Sequence, residues 1–528
     1  MRYDVIGLVA GWSLVLLTIP LLISAIVGQI MGDPNDILLW SFIPPIAFCA
    51  IVGGIFVKVG TRRDSAERLR DREAITAVAL SWPLIVAVGS LPYWFGPTFH
   101  GPVTWDGDGG TLYEVMGGLI RGWFESMSGF TTSGATTIDP HVSPRCEGVD
   151  DCIASQPYGI IFWRSSTQWL GGMGIIMLGM LLLSRALGGG MSIARAELTG
   201  PSLSRLRPRL QETAKALWGI YIGFTVLEFI LLFWWADLSW FTAINYSLTT
   251  MPSGGFGTTD GGVMDFDSAL VEGIITFFMV ATGINFSLFH FVLLKEYAKV
   301  INDQELRVYL LVLAGAWAIF TLNLVHSAGW EWSEAVRHGA FQAAAIGTST
   351  GYASADFAAW PVLSLFILLF LMVVGASAGS TSGGLKILRL RLAFVLARRE
   401  IHRMVQPRAI VTVRMNGEVV DDSRMWVVIG MLSTWAALAM ISTILLAIFE
   451  PTHSLETILS VIFAALGNTG PALGAFGPTS TWAGLNWYSL LYTSFLMLAG
   501  RLELLTVLVL FHPRTWRKET LGKLEKVE

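Results

Sequence analysis

Thr131-Thr132-Ser133-Gly134-Ala135 closes a short apolar segment that is too brief to cross a membrane. Three further stretches repeat the arrangement: Pro252-Ser253-Gly254-Gly255-Phe256, Ser349-Thr350-Gly351-Tyr352 and Asn468-Thr469-Gly470-Pro471. Aligned on Gly134, Gly254, Gly351 and Gly470, each copy has a hydroxyl side chain just before its glycine: Ser133, Ser253, Thr350 and Thr469. Glycine permits backbone conformations that strain other residues, and its missing side chain lets carbonyl oxygens line a narrow passage. Taken singly, each loop reads as a glycine turn between two elements. Four in register, each followed by a long apolar run, instead describe loops that gather round one axis and replace the water shell of a small cation with backbone oxygens.

The rest of the chain supplies the membrane that such loops need. Of 528 residues, 53% are hydrophobic and 14% charged, and the mean hydropathy is +0.59. Ten runs reach or approach the ~20 apolar residues that span a ~30 Å hydrocarbon core. They are 5–30, 37–57, 74–95, 158–184, 216–236, 269–294, 308–325, 361–396, 425–449 and 487–511. The first run has a weak basic flank and no clear small-residue cleavage site, so it reads as a retained helix rather than a signal peptide. Arg2 and the clusters at 58–72, 185–215, 295–307, 386–424 and 514–526 hold thirty of the thirty-five Lys and Arg. The positive-inside rule puts those segments, and both termini, in the cytoplasm. Arg121, Arg145, Arg164 and Arg337 then fall on the outer side, and Arg501 within a span. A net charge of −4 gives no electrostatic reason for a nucleic-acid partner.

Between the spans, short apolar segments near 114–130, 238–251, 335–348 and 456–467 precede the four glycine loops. As helices they reach only part-way through the bilayer, so their ends must be buried in protein or line a wet cavity. Their carbonyl ends, aimed at one centre, favour a cation. The expected fold is therefore an all-α polytopic membrane protein. Four pseudo-repeats of helix, re-entrant loop and helix surround one central pore, at 74–184, 216–296, 307–400 and 425–512. Residues 1–60 add two N-terminal helices, and 513–528 form a cytoplasmic tail. Asp139, Asp260 and Asp356 follow the first three glycines and fit either an acidic mouth or solvated loops. The fourth copy has Ala475 and Phe476 there. Cys146 and Cys152 share an outer loop, where a disulfide or a free pair is open; Cys49 sits in an apolar span. The stretch Gly375 to Gly384 interrupts the eighth span with glycine, serine, threonine and alanine, which disfavours an unbroken helix. A close-packed contact between small-residue helices is the other reading. Arg501, about 21 Å into its span at 1.5 Å per residue, must face a cavity or a partner rather than lipid.

These residues resemble the TrkH/KtrB/HKT superfamily of potassium transport proteins, and the TrkH-type subunit in particular. The resemblance is carried by Ser128-Gly129-Phe130-Thr131-Thr132-Ser133-Gly134-Ala135, Trp169-Leu170-Gly171-Gly172-Met173-Gly174-Ile175, the run from Gly375 to Lys386, and Gly500-Arg501-Leu502-Glu503. It implies potassium uptake through a gated filter, with one pore per chain and two chains in a homodimer. The filter would use Thr132, Ser133, Gly134, Pro252, Ser253, Gly254, Ser349, Thr350, Gly351, Asn468, Thr469 and Gly470. Glycine rather than serine at position 134 goes with potassium rather than sodium. The resemblance makes Gly375, Gly379, Gly383 and Gly384 part of an intramembrane gate, with Arg501 projecting beneath it and Lys386 either assisting or snorkelling to the cytoplasm. It also implies a cytosolic nucleotide-binding regulator of TrkA type and residence in a bacterial inner membrane, in contact with lipids. A proton- or sodium-coupled symporter is the competing transport reading, since broken helices serve carriers too. The eight histidines form no His-Glu-x-x-His pair and no phosphate-binding Gly-x-x-x-x-Gly-Lys occurs, which argues against an enzyme.

Overall fold

The computed structural model describes residues 3–60, 71–105, 110–174, 210–408, 412–415, 418–420, 422–502 and 504–516. The second half of the span at 158–184 from position 175, most of the basic cluster at 185–215, Glu503 and most of the tail at 513–528 lie outside them. Helices α1 (Tyr3–Met31) and α2 (Asn35–Gly60) form the N-terminal pair and pack on the first unit. Four units follow, each a long helix, a short helix, a glycine loop and a second helix. The first has α3 (Asp71–Gly89), α4 (Leu112–Phe130) and α5 (Tyr158–Met173). The second has α6 (Leu210–Ile230), α7 (Trp240–Thr250), α8 (Ala269–Thr282) and α9 (Phe286–Leu293). The third has α10 (Gln304–Ala328), α11 (Trp332–Gly347), α12 (Val362–Val374) and α13 (Ile387–Val405). The fourth has α14 (Asp422–Phe449), α15 (Leu455–Gly467) and α16 (Trp487–Arg501). A two-residue antiparallel ladder pairs Arg414 with Val419 in the connector before α14.

Among the described residues, six helices are long and apolar enough to cross a membrane, or seven if the bent pair α8–α9 counts as one. The six are α1, α2 and the opening helix of each unit, with α3 counted on to Phe95 and α6 on to Trp235. The other four expected spans depart from simple rods, three of them at a break that holds a glycine. Helix α5 stops at Gly174, whose φ is +73°. The chain turns by 93° between α8 and α9. Helix α12 stops at Gly375, φ +62°, and helix does not resume until Ile387. Helix α16 ends at Arg501, where Leu502 is its non-helical cap.

Three of the four short helices begin where a side chain caps them. Thr111 closes a capping box with Glu114 on α4, Ser239 accepts from the Thr242 amide on α7, and Ser454 accepts from the Thr457 amide on α15. Such caps satisfy amides that a helix start leaves bare. The seam between the second and third units is bridged by Arg337 of α11, which holds both carboxylate oxygens of Glu272 on α8 at 2.8 Å. Glu272 is buried. The N-terminal pair is fastened by Asp33, which accepts from the Tyr158 and Gly159 amides at 3.0 and 2.8 Å at the start of α5.

Candidate ion pathway

Every short helix ends in the same way. Thr132, Ser253, Ser349 and Asn468 adopt left-handed backbone, with φ of 54°, 58°, 56° and 52°. The next residue's amide reaches back to a carbonyl in the last helical turn. Ser133 bonds Ser128, Gly254 bonds Thr249, Thr350 bonds Ala345 and Thr469 bonds Ala464, all at 2.8–2.9 Å. The residue after that is a glycine with positive φ: Gly134 at 83°, Gly255 at 82°, Gly351 at 82° and Gly470 at 94°. The second loop's equivalent of Gly134 is therefore Gly255, one position beyond the glycine on which the sequences align. Gly254 takes the place of Ser133, and Ser253 that of Thr132. Pro252 drops out of the set and packs against Gly172 of α5.

The four loops close a ring. A Cβ on Gly134 would overlap the carbonyl oxygen of Gly254; on Gly255, that of Thr350; on Gly351, that of Thr469; and on Gly470, that of Ser133. Each glycine thus lies against the next loop's carbonyl, and the fourth returns to the first. Side chains with such a Cβ would push the loops apart, which is why glycine stands at all four places. Around the ring the oxygens Thr132 Oγ1, Asn468 Oδ1 and Thr469 Oγ1 are buried with no hydrogen-bond partner among the described residues. Buried oxygens in that state are costly unless something meets them.

Behind the ring stands a charge pair. Glu125 of α4 and Arg164 of α5 are 0% and 1% exposed, with Nε 3.4 Å from Oε2. Glu125 also accepts from the Thr136 hydroxyl at 2.6 Å and from the Thr137 amide, so it braces the segment leaving the first ring loop. Arg164 lies over the Phe256 ring at 3.9 Å and donates to the Gly257 carbonyl at 3.3 Å. One turn further on, Gln168 reaches Gly254 and Phe256. Sequence reading placed Arg164 on the outer side and passed over Gln168. A charged and an amide side chain at i and i+4 in an apolar helix are the signal that singles them out.

Above the ring a depression of about 560 Å³ carries Asp139, His141, Arg164 and Asp260 in its wall. The three aspartates expected there are engaged in holding loops. Asp139 accepts from the Thr481 hydroxyl at 2.7 Å, Asp260 from the Cys152 and Ile153 amides at 2.7 and 2.9 Å, and Asp356 from the Ala358 amide at 3.0 Å. Cys146 and Cys152 are joined in a disulfide, with Cα atoms 4.8 Å apart. Beside it Asp151 has its carboxyl pushed above the ordinary range, first by burial and then by the neighbouring Asp260.

Below the ring, residues 375–386 form a non-helical loop rather than a small-residue helix contact. Gly375, Gly379 and Gly384 have φ of 62°, 76° and 75°, while Gly383 packs against the Gly467 carbonyl. The second, third and fourth units hold this loop directly, and the first is tied to it through Arg501. Ser349 Oγ accepts from the Gly383 amide at 2.6 Å, and Ser253 Oγ pairs with Thr381 Oγ1 at 3.0 Å. Glu305, buried at the start of α10, accepts from the Ala378 amide at 2.6 Å. Arg501 donates to the Thr381 carbonyl at 2.6 Å and to the Gly171 and Gly172 carbonyls at 2.8 and 2.7 Å. It lines a cavity of about 90 Å³ with the loop, but as a cross-link rather than a free charge. Lys386 is 4% exposed and its ammonium turns back to the Ser382 carbonyl, so it does not snorkel to the cytoplasm.

An all-helical, multi-pass membrane protein with four loop ends closed into a ring of carbonyls belongs with the cation transport proteins. The chain is a member of the TrkH family of cation transport proteins, whose pattern matches residues 113–518. The Trk system potassium uptake protein TrkH of Halomonas elongata is 34% identical over 483 residues, 89% of this chain and 92% of that one. That of Vibrio parahaemolyticus is 31% identical over 530 residues, covering 98% and 100%. The crystal structure of the potassium transporter TrkH from Vibrio parahaemolyticus superposes with a TM-score of 0.81, at 28% identity, over 98% of this chain and 100% of that one.

Proposed function

We propose that this protein carries potassium ions into a bacterial cell as the membrane subunit of a Trk-type system. The ions cross the inner membrane through a selectivity filter made of the ring. The observation that carries this reading is the closed cycle of contacts from Gly134 to Gly254, Gly255 to Thr350, Gly351 to Thr469 and Gly470 to Ser133. It gathers four backbone oxygens from four helix ends, whose dipoles favour a cation. The filter residues are then Thr132, Ser133 and Gly134; Ser253, Gly254 and Gly255; Ser349, Thr350 and Gly351; and Asn468, Thr469 and Gly470. Both termini lie in the cytoplasm. The basic cytoplasmic segments meet anionic lipid heads and a TrkA-type nucleotide-binding regulator, and two chains assemble as a homodimer. The test is rubidium and sodium influx into liposomes holding the chain alone. Rubidium is expected to enter well ahead of sodium; equal entry would remove potassium as the cargo.

The loop Gly375–Lys386 acts as the gate beneath this filter. Its bonds to Ser253, Ser349 and Glu305 hold it shut, and Arg501 ties it to the end of α5. Arg501→Ala removes three hydrogen bonds made by a charged donor, each worth roughly 1.5–3 kcal/mol where the acceptors stay buried. Rubidium influx is expected to rise by about tenfold at equal amounts of folded protein. Unchanged influx at intact expression would count against the cross-link as a restraint on the gate.

A further inference from the structure

In three loops the residue before the ring glycine carries a side chain: Ser133, Thr350 and Thr469. The second loop has Gly254. Its backbone does not demand glycine, since no left-handed φ occurs there. What forbids a side chain is Gln168, whose amide a Cβ on Gly254 would overlap, and no other residue is among its nearest neighbours. Gln168 belongs to α5 of the first unit and is fully buried. Its Nε2 donates to the Gly254 carbonyl at 2.6 Å and its Oε1 accepts from the Phe256 amide at 3.2 Å. The second bond fixes which way the amide faces, because a backbone N–H can only donate. Among the described residues, the carbonyls of Ser133, Thr350 and Thr469 receive no such side-chain donor.

We infer that Gln168 is a specificity-determining residue that weakens one of the four carbonyl ligands. This rests on the reading of the ring as the filter. A carbonyl oxygen that already accepts a short hydrogen bond offers less charge to an ion, and the amide hydrogens bring positive charge towards it. The site is therefore lopsided, with three full ligands and one partial one. Ions are held less firmly and leave sooner, as conduction requires. Glycine at position 254 is the consequence: it clears the space that the Gln168 amide occupies.

The test uses the full chain in liposomes, with the concentration dependence of rubidium influx and the rubidium-to-sodium ratio as readouts. Gln168→Met keeps the volume and removes the donor. The apparent KM for rubidium should fall about two- to tenfold, the span set by the net worth of one hydrogen bond, with a lower maximal rate and an altered ratio. A purely structural role would reduce the folded yield and leave KM and ratio where they were, and that result overturns the proposal. Should Gln168→Met fail to fold, Gly254→Ser and the double variant Gln168→Ala/Gly254→Ser decide. Gly254→Ser alone should lose most of its influx. The double variant should recover influx with a lowered KM, and a double variant no better than the single one overturns the proposal. Wild-type protein that passes sodium as readily as rubidium defeats the potassium reading instead, before any variant is compared.

Discussion

Gly255→Ala is expected to cut rubidium influx by roughly a hundredfold, which corresponds to about 2.7 kcal/mol, while Gly254→Ala loses about tenfold or less. Two costs coincide at Gly255. Its φ of +82° puts a Cβ in a region that costs an L-residue roughly 1–2 kcal/mol. The same Cβ overlaps the Thr350 carbonyl, and that oxygen cannot withdraw without leaving the ring. At Gly254 the backbone is unstrained, and the obstruction is the end of the Gln168 side chain, which yields only by giving up its bonds to Gly254 and Phe256. The measurement is influx at equal folded protein, judged by gel filtration in detergent. The opposite order, with Gly254→Ala silent and Gly255→Ala conducting, would return the second ring position to Gly254.

The tandem Gly254-Gly255 explains why that register is not legible in the chain itself. A hydroxyl before glycine is a side-chain pattern, whereas equivalence in the ring is set by backbone: a left-handed residue two places earlier and an amide bonded back into the helix. Serine 253 satisfies the first pattern when aligned on Gly254, and the second only when aligned on Gly255. The long opening helices are readable because twenty apolar residues have one outcome in a bilayer, and the short helices because briefer apolar runs each end in a polar glycine loop. The breaks in α5 at Gly174, between α8 and α9 and after α16 are not, since hydropathy averages over them. The break after α12 is readable because four glycines fall within ten residues. Acid residues mislead for a different reason. Asp139 and Asp260 line the depression above the ring and Asp356 does not, and each of the three carboxylates is taken by amides or a hydroxyl of a loop; composition cannot tell a free charge from a staple. The partner of Arg164 is not legible either, because a rule about which side carries charge says nothing of an arginine that has its own buried carboxylate.

That pair carries the second large effect. Arg164→Met should lower stability by about 3–5 kcal/mol, the usual cost of removing one member of a buried ion pair. Glu125 would keep its bonds to Thr136 and Thr137 but lose the cation that compensates its burial, and the Phe256 ring would lose the guanidinium above it. Equilibrium unfolding in detergent micelles reads the loss. The double variant Glu125→Met/Arg164→Met removes both charges and fills the space with apolar volume, which in buried sites is often neutral; it should recover most of the stability. Ion selectivity should not return with it. Thr136 and Thr137 would have no carboxylate to hold the segment beyond Gly134, and Gly257 no guanidinium to hold the segment beyond Gly255, so the two loops would lose their common brace. A single variant costing less than about 1 kcal/mol would place Arg164 among exposed ion pairs and contradict a buried bridge between the first and second units. A double variant that is both stable and fully selective would show that the bridge supports the fold alone, and the brace behind the ring would then rest on Gln168.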